Sequence, residues 1–442
     1  MQPAVIEKEI PKQSVFEGVT SYHWLVVLIA SCGWLFDCMD QRLFVLARES
    51  ELKELLADNA EALKALRTYI GYATTSMIIG WATGGIIFGM LSDKIGRVKT
   101  MVATLIVYSG FTGLSGFAQS WIDFTIYRFL VGLGVGGMFG AATTLVAESV
   151  PGRFRSLALG SLQALSATGN IIGSLISLQI KPGTADFWGE YAGWRVLFFV
   201  GILPSLLVIP IIFLLKEPEA WKQAKANAKS GATKPIGSPL ELFADPRWRR
   251  NALVGLLLGV SGMIGLWGIG FFSPELISLA LKGAPQSQVD TVRGWGLALQ
   301  DVGAFVGMLT FTFVASFLSR RIAFGGAFLL CLFATAFVFN SLNSATDAYW
   351  MLPLMGFAQL AVFAGYSIYF PELFPTRLRG TGVGFCYNTV RYLAAPFPTL
   401  MGLLATVISF RSAAIIMSSV YLLGLLALVW APETKGKPLP ED

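Results

Sequence analysis

The chain alternates long apolar runs with short polar connections. A helix needs about 20 mostly apolar residues to cross a bilayer. Twelve such runs can be read, at 23–47, 67–90, 98–117, 122–148, 154–180, 194–215, 251–278, 293–318, 323–341, 347–370, 380–405 and 408–430. They are numbered here as spans 1 to 12. Between spans 6 and 7 lies the longest polar stretch, "KEPEAWKQAKANAKSGATKPIGSPLELFADPRWRR", which predicts a linker carrying short surface helices. The pattern divides the chain into a six-helix bundle at 1–215, a linker at 216–250, a second six-helix bundle at 251–430 and a tail at 431–442.

Composition names the solvent. Hydrophobic residues make up 54% of the 442 and charged residues only 14%, where a soluble globular chain carries roughly 25% charged. Mean hydropathy is +0.63. An all-α membrane protein is expected. Its orientation follows from the basic residues, which gather on the cytoplasmic side of membrane proteins. The N-terminus, the even-numbered loops, the linker and the tail hold 21 of the 33 lysines and arginines, and the opposite loops hold 9. Both termini are therefore expected in the cytoplasm, on an inner-membrane protein. The net charge of +6 reports this topology. Its dispersal over short loops argues against a nucleic-acid partner.

Several chemistries drop out. Cys32, Cys38, Cys331 and Cys386 lie in apolar runs without CxxC or CxxH spacing, so no disulfide framework, metal site or cofactor is expected. His23, the one histidine, reads as an interfacial residue at the start of span 1. The first 22 residues are polar, and the first apolar run is too long for a cleavable signal. Gly132, Gly134, Gly136 and Gly137 allow close helix approach; they lie inside a span, with no GK[ST], and do not make a phosphate loop. With no nucleophile–base pair, an enzyme is not expected.

The chain repeats itself. "ESVPGRFRSLALG" after span 4 aligns with "ELFPTRLRGTGVG" after span 10, pairing Glu148 with Glu372, Pro151 with Pro375, Arg153 with Arg377, Arg155 with Arg379 and Gly160 with Gly384. Each pair is 224 positions apart, the mark of a duplicated six-span unit. At the same offset Ser92 meets Ser316 and Arg97 meets Arg321, while Gly89 and Asp93 have no counterpart.

These motifs carry a resemblance. "GMLSDKIGR" after span 2 resembles the signature of the major facilitator superfamily. "YRFLVGLGVGG", the repeated E…P…R…R and the terminal "PETKGKPLPE" are similar to its sugar-porter and organic-acid-porter branches. "GWRVLFFVGILP" followed by "KEPEAW" resembles sialate- and monocarboxylate-proton symporters, and Asp-x-x-Asp in span 1 resembles aromatic-acid-proton symporters. The resemblance implies twelve transmembrane helices in two pseudo-symmetric six-helix bundles. It also implies an inner gate in which the loop of Gly89, Asp93, Gly96 and Arg97 pairs with span 11, joined by Glu148, Arg155, Glu372 and Arg379.

Charges inside spans mark the remaining candidates, since each costs about 2.5–3.5 kcal/mol at mid-bilayer. At about 1.5 Å per residue, Asp37 on span 1 and Arg128 on span 4 come out level. Asp37 and Asp40 share a helix face. Asp37 is read as proton acceptor with Arg128 as counter-charge; Asp40 is the alternative acceptor, or shares the proton. Arg42 is assigned a snorkelling place near the outer edge. Arg391 falls near the midplane of span 11, with Ala167 at its repeat position. It either binds a substrate carboxylate through its planar fork, with Tyr387 and Asn388 alongside, or pairs with Asp301 of span 8. Gln163, Asn170, Gln300, Gln359 and Tyr366 either line a cavity or bond helix to helix. The whole reads as a proton-coupled symporter of a small organic acid, taken as an anion, acting as a monomer. The rival expectations are a sugar–proton symporter and a solute sensor that does not transport.

Overall fold

A computed structural model describes residues 14–64, 66–180, 182–230 and 234–441. It is helical throughout, and no strand is formed among the described residues. Helices occupy all twelve predicted spans: Ser21–Leu55, Leu66–Ile95, Arg97–Ser115, Trp121–Ser149, Gly152–Gln179 and Gly193–Leu214, then Pro246–Ala280, Gln286–Phe317, Arg320–Ser341, Ala345–Glu372, Arg379–Ala394 with Phe397–Val407, and Phe410–Ala427. Short helices at Glu219–Lys229 and Pro239–Ala244 stand in the linker. Large apolar side chains such as Ile106, Phe213, Phe333 and Val407 are exposed on the outside, as a surface that meets lipid must be.

The halves are built alike. In the first, span 4 packs on spans 2 and 3 and span 1 on span 5; in the second, span 10 packs on spans 8 and 9 and span 7 on span 11. Helix starts repeat as well. Ser120 accepts a hydrogen bond from the Asp123 N–H at the head of span 4, and Ser344 accepts one from the Asp347 N–H at the head of span 10, again 224 positions apart. A serine oxygen there satisfies a helix N–H that has no carbonyl partner.

Close packing of spans 2 and 4 rests on missing side chains. A Cβ on Gly84 would overlap the Leu133 carbonyl, and one on Gly136 the Trp81 carbonyl. Gly307 and Gly356 do the same between spans 8 and 10. In lipid no hydrophobic force draws helices together, so this backbone proximity, and the dispersion contacts it allows, hold them. Gly136→Val is expected to lower the midpoint of thermal unfolding in detergent by several degrees, or to abolish the monodisperse peak in size-exclusion chromatography. A wild-type melting curve would show that the helices have room to part.

Two spans are broken where the halves meet. Span 7 passes from α-helix into a π-helical turn, Gly265–Ile269, and then a 3-10 turn, Gly270–Phe272. Span 11 stops at Ala394 and resumes at Phe397, after Pro396, whose ring and missing N–H end the first segment. The two halves contact each other through span 2 against span 11 and span 5 against span 8.

Candidate functional site

Arg391 lies at this junction, three residues before the break in span 11, where a helix C-terminus favours a cation. Its guanidinium carbon sits 3.9 Å from the centre of the Trp81 ring on span 2 and 4.8 Å from that of Tyr387. Nη1 donates to the Tyr387 carbonyl at 2.7 Å and to Asn388 Oδ1 at 2.8 Å. Tyr387 stacks on Phe139 of span 4 with centroids 3.8 Å apart, and Trp34 of span 1 closes on both rings at 5.0 and 6.4 Å. Trp267, in the π-helical turn of span 7, meets Trp81 edge-on. Aromatic walls from both halves thus surround one buried cation.

The polar atoms left over here are informative. Arg391 Nε, Trp34 Nε1 and Trp81 Nε1 are buried donors with no protein acceptor; on span 5, Gln163 Oε1 is a buried acceptor with no donor. Buried polar groups are nearly always paired. A free guanidinium N–H with two free indole N–H groups in the same aromatic cluster suits an anion with carboxylate oxygens, and the rings suit a flat or unsaturated body.

Other candidates separate from this cluster. Asp301 does not pair with Arg391: its Oδ2 accepts from Arg42 Nη2 at 2.9 Å, an ion pair that joins spans 1 and 8 across the two halves. Arg42 therefore does not snorkel; the carboxylate opposite gives its charge a partner. Tyr366 takes the helix-to-helix alternative. Its hydroxyl donates to the Leu258 carbonyl at 2.7 Å and its ring stacks on Phe370, so it ties spans 7 and 10 together and does not line the site. Gln359 Nε2 likewise donates to Thr335 on span 9. Gln300 is buried against Gly356, and Asn170 is half-buried two turns beyond Gln163 on span 5.

The carboxylates of span 1 also sit differently from their expected depths. Asp37 faces Tyr108, and Asp40 faces Thr112 and the bare Cα of Gly201. Arg128 is not level with Asp37. Its guanidinium lies among the rings of Phe44, Phe124 and Phe198, 4.7–5.4 Å from their centres, and its carboxylate neighbours are Asp40 and Glu51. Span 1 continues as helix to Leu55, so it is longer than a core about 30 Å thick requires, and depths counted inward from opposite faces do not meet at one level.

At the basic face the halves are locked. Asp93 accepts from the N–H groups of Gly380 and Thr381 at 3.0 and 2.8 Å and from the Thr381 hydroxyl at 2.7 Å, capping span 11. Arg97 pairs with Asp93 at 3.2 Å and with Glu148 through two bonds, at 2.9 and 3.0 Å, and donates to the Thr376 carbonyl across the gap. Arg379 reaches from the second half to the same Glu148. Gly89 lets the backbones of spans 2 and 11 touch at this level, and Gly96, at φ +119°, turns the chain beneath Glu217. Arg155 donates to the Ala147 carbonyl as Arg379 does to that of Pro371.

Glu372 repeats the role of Glu148, but its partner is Arg320, at 3.1 and 2.9 Å, and not Arg321. Arg97 Nη1 donates to the carbonyl five residues back, and so does Arg320 Nη1. The loops match at an offset of 223, and the offset is 224 again at Ser120 and Ser344, so the second half carries one extra residue between Arg320 and Ser344. Two glutamates that the motifs did not single out finish the lock. Glu217 accepts from the Arg97 and Lys99 N–H groups, and Glu433 from those of Arg320 and Arg321 and from the Ser319 hydroxyl. Partial burial opposes the charge of Glu433, but the bonds from Ser319 and from the Lys435, Arg320 and Arg321 N–H groups outweigh it and hold the carboxyl below its ordinary range. Trp221, from the linker, donates to the Asp93 carbonyl at 2.7 Å.

Two helical bundles that meet over a buried cation and are latched at one face have the build of a multi-pass membrane transporter. Residues 52–397 match the Major Facilitator Superfamily, and the chain belongs to that superfamily; it is a transporter and not an enzyme. It is 29% identical to the cis,cis-muconate transport protein of Acinetobacter baylyi over 424 residues, 95% of this chain and 97% of that one. It is 31% identical to the sialic acid transporter NanX of Escherichia coli over 320 residues, 71% and 72% of the two chains. It is 25% identical to the gentisate transporter of Corynebacterium glutamicum, over 93% and 88%. Among solved structures, the proton:xylose symporter XylE bound to 6-bromo-6-deoxy-D-glucose shares the fold, with a TM-score of 0.76 at 19% identity, covering 95% of this chain and 98% of that one.

Proposed function

We propose that the protein is a proton-coupled symporter of a small organic acid, working by alternating access between its two bundles. The observation that carries this is Arg391, a buried guanidinium walled by Trp81, Tyr387, Phe139 and Trp34 with free donors around it. Muconate, gentisate and sialic acid, named for the relatives, are all carboxylates. The basic face is the cytoplasmic one, as the positive-inside rule requires, and the membrane is the inner membrane. Asp37 and Asp40 are the proton-carrying groups: both are fully buried and their oxygens accept no protein hydrogen bond, so a proton can satisfy them at one stage of the cycle.

The test is uptake by the purified protein in proteoliposomes, with cis,cis-muconate, gentisate, niacin, sialic acid and xylose offered in turn. An alkaline interior is expected to drive accumulation of at least one acid at least tenfold above the level without a gradient. Asp37→Asn is expected to exchange that acid across the membrane while failing to concentrate it. Uptake of xylose with every acid inert would make the protein a sugar porter, and acid uptake indifferent to the gradient would remove the proton.

A further inference from the structure

Span 1 carries a third buried carboxylate beyond the predicted pair. Asp37, Asp40, Phe44, Ala47 and Glu51 follow one another at intervals of three and four, so they form a single stripe on one helix face. All five are buried, and Glu51 is fully so. Both Glu51 oxygens lack a protein donor, as do those of Asp40 and Asp37. Arg128 stands beside this stripe, over the Phe44 ring, between Asp40 and Glu51. One of its nitrogens donates to Ser115, and Nε and Nη1 have no protein acceptor.

One turn beyond Glu51 the stripe reaches the surface. Glu54 is partly exposed there and pairs with Arg195 at 2.9 Å, with Trp194 Nε1 donating to it at 2.7 Å. The charged groups facing Glu51 are Arg128 from span 4, Arg195 from span 6 and Glu54 from its own helix. Basic-face residues lie at the other end of span 1, so this row opens on the opposite side of the membrane.

We propose that Glu51 is the outer station of a proton path that runs along span 1 to Asp40 and Asp37. It rests on the proton-coupled reading above. Asp40 and Glu51 are 11 residues apart, about 16 Å along the helix, too far for direct transfer. Ordered water is the usual partner of buried polar atoms left unpaired by protein, and the free N–H groups of Arg128 are placed to order it between the two. A proton leaves the Glu51 carboxyl, passes along that water and ends on Asp40; the Glu51 carboxylate is then reprotonated from the outer solution. No redox change or further reactant is needed. Arg128 stays charged throughout, and its attraction to both ends keeps the intervening stretch polar.

The experiment compares wild type, Glu51→Gln and Glu51→Asp, reconstituted as full-length protein with a pH dye inside the vesicles. The four acids of the panel serve as probes. Two rates are read: exchange of acid at equal concentration on both sides, which needs no net proton movement, and net uptake with proton entry under an imposed gradient. Glu51→Gln is expected to keep exchange within about twofold of wild type, to lose net proton-coupled uptake at least tenfold, and to flatten its dependence on outer pH. Glu51→Asp is expected to restore part of it. Equal loss of exchange and net uptake would make Glu51 a structural counter-charge for Arg128 and overturn the assignment. So would proton entry in Glu51→Gln at the wild-type rate. A wild type that carries the acids without protons would overturn the symport reading itself, an outcome visible before any variant is compared.

Discussion

Arg391→Gln is expected to reduce kcat/KM for acid uptake by two orders of magnitude or more, and Arg391→Lys by nearly as much. A hydrogen bond to a charged group contributes about 1.5–3 kcal/mol, and a carboxylate held by a guanidinium fork makes two. Losing both removes a factor of roughly a hundred or more, at about 1.4 kcal/mol per tenfold. Lysine keeps the charge but not the geometry. The guanidinium lies over the Trp81 ring and spends Nη1 on the Tyr387 carbonyl and Asn388, which leaves its remaining donors aimed by its own rigid plane. An ammonium on a flexible stem cannot hold both the inner contacts and the substrate. Thermal-shift titration separates this from misfolding: the variants should melt near the wild-type temperature without ligand and fail to gain stability from it. Stabilisation of Arg391→Gln by an acid would take the carboxylate site elsewhere.

The second large effect is expected at the gate. Glu148→Gln leaves Arg97 and Arg379, both fully buried, without the carboxylate they share. Breaking a buried pair from one side costs about 3–5 kcal/mol, and a shift of about 5.5 kcal/mol turns a 1:99 population into 99:1. The latched state is the one penalised, because only there do arginines from both halves converge on the same acid. The variant is expected to bind acid but to transport it at least tenfold more slowly. Its inner face should also stand open for longer. Ser367 reports this directly. It is buried between spans 5 and 10, its hydroxyl donating to the Leu159 carbonyl at 2.9 Å. A cysteine placed there should react with maleimide at least ten times faster in the Glu148→Gln background. Unchanged labelling would mean that the latch does not set the balance between states.

Much of this architecture can be read from the sequence because the bilayer imposes it. Twelve apolar runs became helices, and the offset of 224 paired Glu148 with Glu372 and Arg155 with Arg379 at the basic face of both halves. Failures came where distance along the chain stopped measuring depth. Glu51 lay past the predicted end of span 1 because "RESELKEL" is polar, yet the helix runs on and buries it. Arg320 lies outside the offset of 224 because one extra residue between Arg320 and Ser344 makes the offset 223 in that loop. Trp34, Trp81 and Phe139 were not singled out, since aromatic residues inside a span look alike whether they face lipid, a neighbouring helix or a ligand. Only packing distinguishes them.

Glu148 and Asp93 each hold two sets of partners, one in their own half and one in the other. When the faces part, Glu148 gives up Arg379 but keeps Arg97, and Asp93 gives up the head of span 11 but keeps Arg97 as well. No acid is stripped bare on the way. Arg379 would lose its carboxylate but keep the Pro371 carbonyl and the Thr376 hydroxyl of its own half, and it would open toward water, where a guanidinium is readily hydrated. In the proposed cycle the latch would therefore let go while each acid keeps a partner in its own half, so the energy barrier to each opening can stay low even though the closed state is tightly bonded.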